Sequence, residues 1–138
     1  MALTRTATKL TADAAHALVR AAADAATEMG VPQCISVVDE GCNLLAFLRM
    51  DGSRVLAIDS SRHKAETAAA TGKPTGGMGA DLELKLAIAT HARMTNLKGG
   101  MPIIADGQVI GGIGIGSGTG DQDREIAIKA LAVVFGPG

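Results

Sequence analysis

Residues 101–116 read MPIIADGQVIGGIGIG and contain the clearest hairpin signal of the sequence. Asp106-Gly107 favours the two-residue turn of a β-hairpin, because both residues accept the left-handed backbone conformation that such a turn needs. The runs on either side predict two strands, Met101–Ala105 and Gln108–Gly116. A hairpin pairs its strands antiparallel, so the sheet of this protein is predicted to be antiparallel.

A second hairpin is predicted earlier in the chain. Two β-type runs, Cys34–Asp39 and Leu44–Met50, flank a Gly- and Asn-containing turn at residues 40–43. No βαβ unit is therefore expected, which argues against a dinucleotide-binding fold.

Four helices are predicted around these hairpins from apolar periodicity and end signals. Their order along the chain is helix, hairpin, two helices, hairpin, helix. This order predicts an α+β fold in a single domain, residues 1–138, with a central antiparallel sheet built from two hairpins and flanked by about four helices. The predicted helices are residues 12–29 after the N-cap Thr11, residues 54–71, residues from the cap Asp81 to about Thr95, and residues from the capping box Thr119/Gln122 to about Val134.

Charge and aromatic content exclude several classes of partner. The chain has 13 basic and 14 acidic side chains, a net charge of -1, two Phe and no Tyr or Trp. Nucleic acids and anionic membranes need a concentrated basic surface, and bases stack on aromatic rings, so neither partner is expected. The N-terminus lacks the apolar segment of a secretory leader, and no apolar run is long enough to span a bilayer. Cys34 and Cys42 match no metal-binding spacing and are interpreted as reduced thiols of a cytoplasmic protein, although a disulfide stays open.

The second arm of the C-terminal hairpin has one face that is almost bare of side chains. Gly112, Gly114 and Gly116 share that face, while Ile113 and Ile115 point to the other. Glycine inside a strand often marks the close approach of a ligand or of another backbone. The covering group is therefore either a ligand or a helix, from the same or a neighbouring subunit. The loop that follows, residues 117–120, has no phosphate-loop motif.

Lys64 is the most informative charged residue. On the helical wheel it falls among small residues that face the core, where lysine rarely lies without a partner. One interpretation is a lysine in a pocket wall that pairs with an acidic ligand or has a shifted pKa. The other is a lysine that extends to solvent, or one paired structurally with Asp39 or Asp123.

Three histidines are candidate metal ligands. His16 falls on the wet face of the first helix. His63 shares one helical face with Asp59 and Glu66, which is either a metal-binding face or a solvated charged face. His91 follows Leu84 and Ile88 at helical spacing and is predicted to be a partly buried imidazole in the core or an interface. No nucleophile elbow or H-E-x-x-H motif is present.

Short motifs along most of the chain carry a family resemblance. They are Gly30-Val-Pro, Ser36-Val-Val-Asp39-x-Gly41-x-Asn43, Arg49-Met50-Asp51, Lys64-Ala65 with Thr67-Ala68, Gly99-Gly100-x-Pro102-Ile103, Gly107-x-Val109-Ile110-Gly111, and Ser117-Gly118 with Asp121-Gln122-Asp123. In these motifs the chain resembles the GlcG/HbpS family of small haem-binding proteins, which includes the C-terminal domain of PduO-type proteins. The resemblance implies an α+β domain that assembles into homo-oligomers, with haem binding or haem degradation in some members. A first-helix histidine is used in some relatives, which makes His16 a candidate haem ligand, with His63 and His91 as secondary candidates. The stretch Gly76–Lys98 departs from the family pattern, so the identity of the ligand stays open.

Three hypotheses about function follow, and in the third the glycine face of the last strand serves only as a contact between subunits. The leading one is a small cytoplasmic homo-oligomer that binds haem or a related tetrapyrrole beside Lys64 and the end of the last strand. The alternative is a cofactor-free isomerase, tautomerase or hydratase that uses Lys64, Asp39 and Asp123 as an acid/base set. The ligand-binding residues of the leading hypothesis are Lys64, Gly112, Gly114, Gly116, Ser117 and Gly118.

Overall fold

The computed structural model describes residues 1–137 and contains four helices and one four-stranded sheet among them. The α+β fold built from two hairpins is confirmed. Within these residues no helix combines the length and the apolar character needed to cross a membrane. The elements are α1 (Ala12–Met29), β1 (Cys34–Asp39), β2 (Leu44–Arg49), α2 (Ala57–Thr71), α3 (Ala80–Ala89), β3 (Gly100–Ala105), β4 (Gln108–Gly116) and α4 (Gly120–Phe135).

The two hairpins are joined side by side through their inner strands. The strand order is β2-β1-β4-β3, and every neighbouring pair is antiparallel. In the central β1–β4 pair, Cys34 lies opposite Gly116 and Asp39 lies opposite Gly111. The C-terminal end of β4 therefore lies beside the start of β1, and Asp39 lies at the other end of that pair.

Helices cover both faces of the sheet. The long helices α1 and α4 pack against each other and against one face, where the main apolar core forms around Leu18, Ile113 and Ile126. Helix α2 packs against β4, β1 and β3 on the other face. This second core is small, with Val38, Ala65 and Ala69 as its buried apolar residues.

Helix α2 of the same chain fills the bare glycine face. A Cβ on Gly114 would lie 1.9 Å from the carbonyl oxygen of Ser61, and one on Gly112 would lie 2.2 Å from that of Ala65. Both separations are far below van der Waals contact, so only glycine lets α2 lie this close to the sheet. The expectation that Gly112 and Gly114 present an open face to a ligand is therefore wrong, because the backbone of α2 occupies that face.

Two helix boundaries differ from the prediction. Helix α2 begins at Ala57 rather than at residue 54, and Leu56 at its N-cap makes no side-chain cap bond. Helix α3 begins after Gly79 instead of at Asp81 and ends at Ala89 instead of near Thr95. His91 and Ala92 adopt positive φ values of 54° and 64°, which an α-helix cannot continue through. No residue of α3 is buried.

The predicted caps of α1 and α4 are confirmed. The Thr11 hydroxyl accepts a hydrogen bond from the Ala14 amide at 3.1 Å. Thr119 and Gln122 form the reciprocal capping box at the start of α4. The turn of the second hairpin has positive φ at Asp106 and Gly107, as the dipeptide predicted.

Candidate functional site

Lys64 is buried at the end of β4 and paired with Asp123. Its Nζ donates to the backbone oxygen of Ile115 at 2.8 Å and to Asp123 Oδ2 at 3.0 Å. The exposed fractions of Lys64 and Asp123 are 4% and 1%. The structure thus contains the Asp123 pair that the sequence offered as one alternative, and Lys64 does not extend to solvent.

Asp123 also closes the loop between β4 and α4. Its Oδ1 accepts a hydrogen bond from the Gly118 amide at 3.0 Å, and the same amide donates to Gln33 Oε1 at 3.0 Å. Burial raises the pKa of the Asp123 carboxyl, and the neighbouring Lys64 ammonium opposes that effect without cancelling it. Asp123 is therefore a buried carboxyl whose ionised form depends on Lys64.

Asp39 does not join this pair. It lies opposite Gly111, four residues along β4 from Ile115, and four residues of strand span about 13 Å. Its Oδ1 accepts from the amides of Gly41 and Asn43, each at 2.9 Å. The structure brings together two of the three residues of the proposed acid/base set, and Asp39 instead stabilises the β1–β2 turn. The enzymatic alternative stays a prediction.

A cavity of about 370 Å³ opens beside the Lys64–Asp123 pair. Ser117 and Gly118, two of the predicted ligand-binding residues, form part of its wall. Ser117 has a φ of 106°, a conformation that favours glycine, and its Oγ accepts the Arg54 amide at 2.9 Å. A Cβ on Gly116 would lie 2.9 Å from Ser60 Oγ, so Gly116 faces α2. The lining residues are Arg54, Leu56, Ala57, Ser60, Lys64, Leu97, Lys98, Ser117, Gly118, Gly120 and Asp123.

A larger groove of about 640 Å³ adjoins this cavity and shares Leu56, Ser60 and Leu97 with it. It lies between α2 and the segment of residues 83–97. Half-buried His63 is the only imidazole that lines it, and most of the other lining side chains are apolar. Sequence reasoning missed this groove, since the break of α3 at His91 and Ala92 creates its outer wall. The full lining is Leu56, Asp59, Ser60, His63, Glu83, Leu84, Ala87, Ala92, Met94, Thr95, Asn96 and Leu97.

The buried Thr67 side chain of α2 connects the outer wall to the helix. The Thr67 hydroxyl accepts from the Thr95 amide at 2.9 Å and donates to the His63 carbonyl at 2.7 Å. Thr67 is 1% exposed. Residues 90–97 form no helix or strand, so the Thr95–Thr67 bond fixes this wall against the helix that carries His63.

Glu66 differs from both interpretations of the Asp59/His63/Glu66 face. It is 3% exposed and accepts from Arg62 Nε at 3.1 Å and from Arg93 Nε. The face is thus not fully solvated, and residues 1–137 contain no group of three or more His, Cys, Asp or Glu arranged to hold a metal ion. The sequence signal for the ion pair of Glu66 was the four-residue spacing of Arg62 and Glu66 on one helix.

The other two histidines lie outside the groove. His16 is exposed on α1, the helix on the opposite face of the sheet from α2. His91 is exposed on this chain, so the predicted place in the core is wrong, and the interface alternative stays a prediction. The reason is that α3 ends before His91, so the helical spacing from Leu84 and Ile88 no longer applies.

The fold and the paired cavities define a small α+β domain with a ligand-sized site at the end of its central strand. The family described as haem degrading protein HbpS-like matches residues 10–132, and the chain belongs to this family. The resemblance inferred from the sequence motifs is therefore confirmed.

Individual relatives agree with this assignment. The chain is 38% identical over 128 residues to an uncharacterized 15.0 kDa protein of the dhaT-dhaS intergenic region of Citrobacter freundii, covering 88% of this chain and 89% of that protein. The crystal structure of Klebsiella pneumoniae ORFY superimposes with a TM-score of 0.91 at 31% identity, covering 100% of this chain and 99% of ORFY. A crystal structure of a PduOC:haem complex superimposes with a TM-score of 0.85 at 28% identity, covering 92% of this chain and 96% of the PduOC chain.

Proposed function

We propose that this protein binds haem in the groove between α2 and residues 83–97. The observation that carries the proposal is His63, a half-buried imidazole on the wall of a largely apolar groove. Histidine is a common axial ligand of haem iron. The family description and the PduOC:haem complex support the choice of ligand.

The residues of the groove fit a haem group. Its volume of about 640 Å³ falls in the range of about 300–1,000 Å³ that is typical of sites for organic ligands. Leu56, Leu84, Met94 and Leu97 provide apolar surface for a macrocycle without aromatic rings. Bound haem supplies iron-centred redox or oxygen chemistry. This chain contributes the imidazole of His63 and the apolar walls that limit access of water.

Hemin titration of the purified protein tests the proposal. The wild type should give a saturable Soret shift, and His63→Ala should weaken hemin binding by about tenfold or more because the axial ligand is lost. The matched controls are His16→Ala and His91→Ala, which should bind as the wild type does. Absence of a saturable shift, or loss of binding in His16→Ala with His63→Ala unaffected, would contradict the proposal.

We further propose that the protein is a homo-oligomer in the cytoplasm. Helix α3 supports assembly, because it has no buried residue although Leu84 and Ile88 are 66% and 69% exposed. The two free thiols, Cys34 and Cys42, are compatible with a reducing compartment. Light scattering should give a mass of at least twice the 13.9 kDa of one chain. A monomer at micromolar concentration would contradict the proposed assembly. A disulfide between the two cysteines of the purified protein would contradict the proposed location in the cytoplasm.

A further inference from the structure

The charged residues that line the smaller cavity beside the groove are mainly cationic, whereas those that line the groove are not. Three cationic residues line it, Arg54, Lys64 and Lys98, against one acidic residue, Asp123. The groove, in contrast, is lined by two acidic residues, Asp59 and Glu83, and no lysine or arginine. The positive end of the combined site is therefore the end beside β4.

Lys64 presents an unused donor at this end. A lysine ammonium has three N–H groups. Within residues 1–137, Lys64 finds two acceptors, Ile115 O and Asp123 Oδ2. Lys64 is buried and lines the cavity, and its third N–H has no acceptor among these residues.

The two exposed cations strengthen the positive potential. Arg54 forms no ion pair with an acidic side chain among the described residues, and Lys98 pairs with Asp121 at 3.1 Å on the surface. Solvent screens a surface pair of this kind and makes it easy to exchange for a ligand. Ser60 and Ser117 add hydroxyl groups to the same wall.

We propose that this cavity is a carboxylate-binding site in which Lys64, Arg54 and Lys98 contact the ligand carboxylate. A carboxylate can reach the cavity as a propionate of haem bound in the adjoining groove, which rests on the proposed function, or as a small free carboxylic acid. A doubly charged phosphate fits less well, because Asp121 and Asp123 already complement the N-terminus of α4. The site then orients a haem from its propionate end or binds a small acid by itself.

The first arm of the test uses haem-free protein and sodium propanoate, which reproduces the side chain of haem. Amide NMR signals of residues 117–120 should shift saturably, and Arg54→Gln and Lys98→Gln should each weaken the apparent affinity about fivefold through loss of a charge-assisted contact. Lys129→Gln is the matched control, since Lys129 is an exposed lysine on α4 that does not line the cavity. It should bind as the wild type does.

The second arm compares haem with its dimethyl ester, which lacks free carboxylates. Esterification should weaken binding to the wild type by about tenfold. It should have a smaller effect in Arg54→Gln/Lys98→Gln, where two of the three cationic partners are already missing. Weaker binding of the ester identifies the haem propionate as the carboxylate. Saturable propanoate binding together with equal affinity for haem and its ester identifies a free acid.

The two proposals fail separately. Saturable propanoate binding in a protein that gives no Soret shift supports the carboxylate site and contradicts haem binding. A normal Soret titration with equal affinity for haem and its ester, and with no propanoate binding, overturns the carboxylate site and leaves haem binding intact. Failure to bind haem, its ester and propanoate overturns both.

Discussion

Lys64 Nζ lies 3.0 Å from Asp123 Oδ2, and this ion pair connects helices that pack on opposite faces of the sheet. Helix α2 supplies the lysine and helix α4 the aspartate. The pair lies at the C-terminal end of β4, where Lys64 also donates to Ile115 O. It therefore fixes the relative positions of the two layers at the wall of the cavity.

Removal of the lysine should destabilise the fold strongly. Lys64→Met leaves Asp123 buried without its cation, and breaking a buried pair in this way costs about 3–5 kcal/mol of unfolding free energy. The double variant Lys64→Met/Asp123→Asn carries no stranded charge and should recover most of that loss. Urea denaturation of the three proteins measures both steps. Equal stability of Lys64→Met and wild type would show that the pair has no structural role.

Substitution of Gly114 should disrupt the contact between β4 and α2. The added methyl group would lie 1.9 Å from the Ser61 carbonyl oxygen, so Gly114→Ala should cost about 3 kcal/mol or more by overpacking. The matched control is Gly77→Ala, whose methyl group would meet no atom within 4 Å. Thermal melts should show a large decrease for the first variant and a change within about 0.5 kcal/mol for the second. Similar melting temperatures would contradict the packing described for α2.

Loss of the Thr67 hydroxyl should loosen the groove wall. Thr67→Val keeps the shape of the side chain but removes the acceptor of the Thr95 amide, at a cost of about 1–3 kcal/mol. Hydrogen exchange at the Thr95 amide should become faster. Thr71→Val is the control, because exposed Thr71 bonds within its own helix end and its loss should change stability by no more than about 0.5 kcal/mol. Unchanged exchange at Thr95 in Thr67→Val would refute the anchoring role.

The turn around Asp39 should make stability depend on acid pH. Burial by itself raises the pKa of Asp39, but hydrogen bonds from Asn43 and Gly41 outweigh it and hold the pKa below its usual value. A lowered folded-state pKa means that ionised Asp39 stabilises the protein above the unfolded pKa of about 3.9, and that this contribution is lost as the pH falls through the folded value.

Asp39→Ala measures that contribution. At about pH 7 it should lower the unfolding free energy by about 1–2 kcal/mol, and the difference from wild type should shrink as the pH falls below about 4. Denaturant titrations across this pH range give the unfolding free energies of wild type and Asp39→Ala. Asp106→Ala in the other hairpin turn is the comparison, because no such hydrogen bonds to the Asp106 carboxylate are found among the described residues. A difference that stays constant or grows towards acid pH would contradict the sign of the pKa shift.

Much of the fold is readable from the sequence because its signals are local. The caps at Thr11 and Thr119, the Asp106-Gly107 turn and the alternation along β4 each depend on a few neighbouring residues. The sequence also indicated that Lys64 faces inward and that the glycine face of β4 must be covered closely. Its motifs were enough to identify the family.

Only the tertiary structure decided which groups meet. Lys64 and Asp123 are 59 residues apart, and nothing local distinguishes Asp123 from Asp39 as the partner. Glu66 is buried because Arg93, 27 residues away, reaches it after α3 has ended. The groove beside His63 exists for the same reason, since its outer wall is a segment that local periodicity predicted to be helix. Local propensity sets the elements, but the packing of distant segments determines which charges are desolvated together and where a cavity remains.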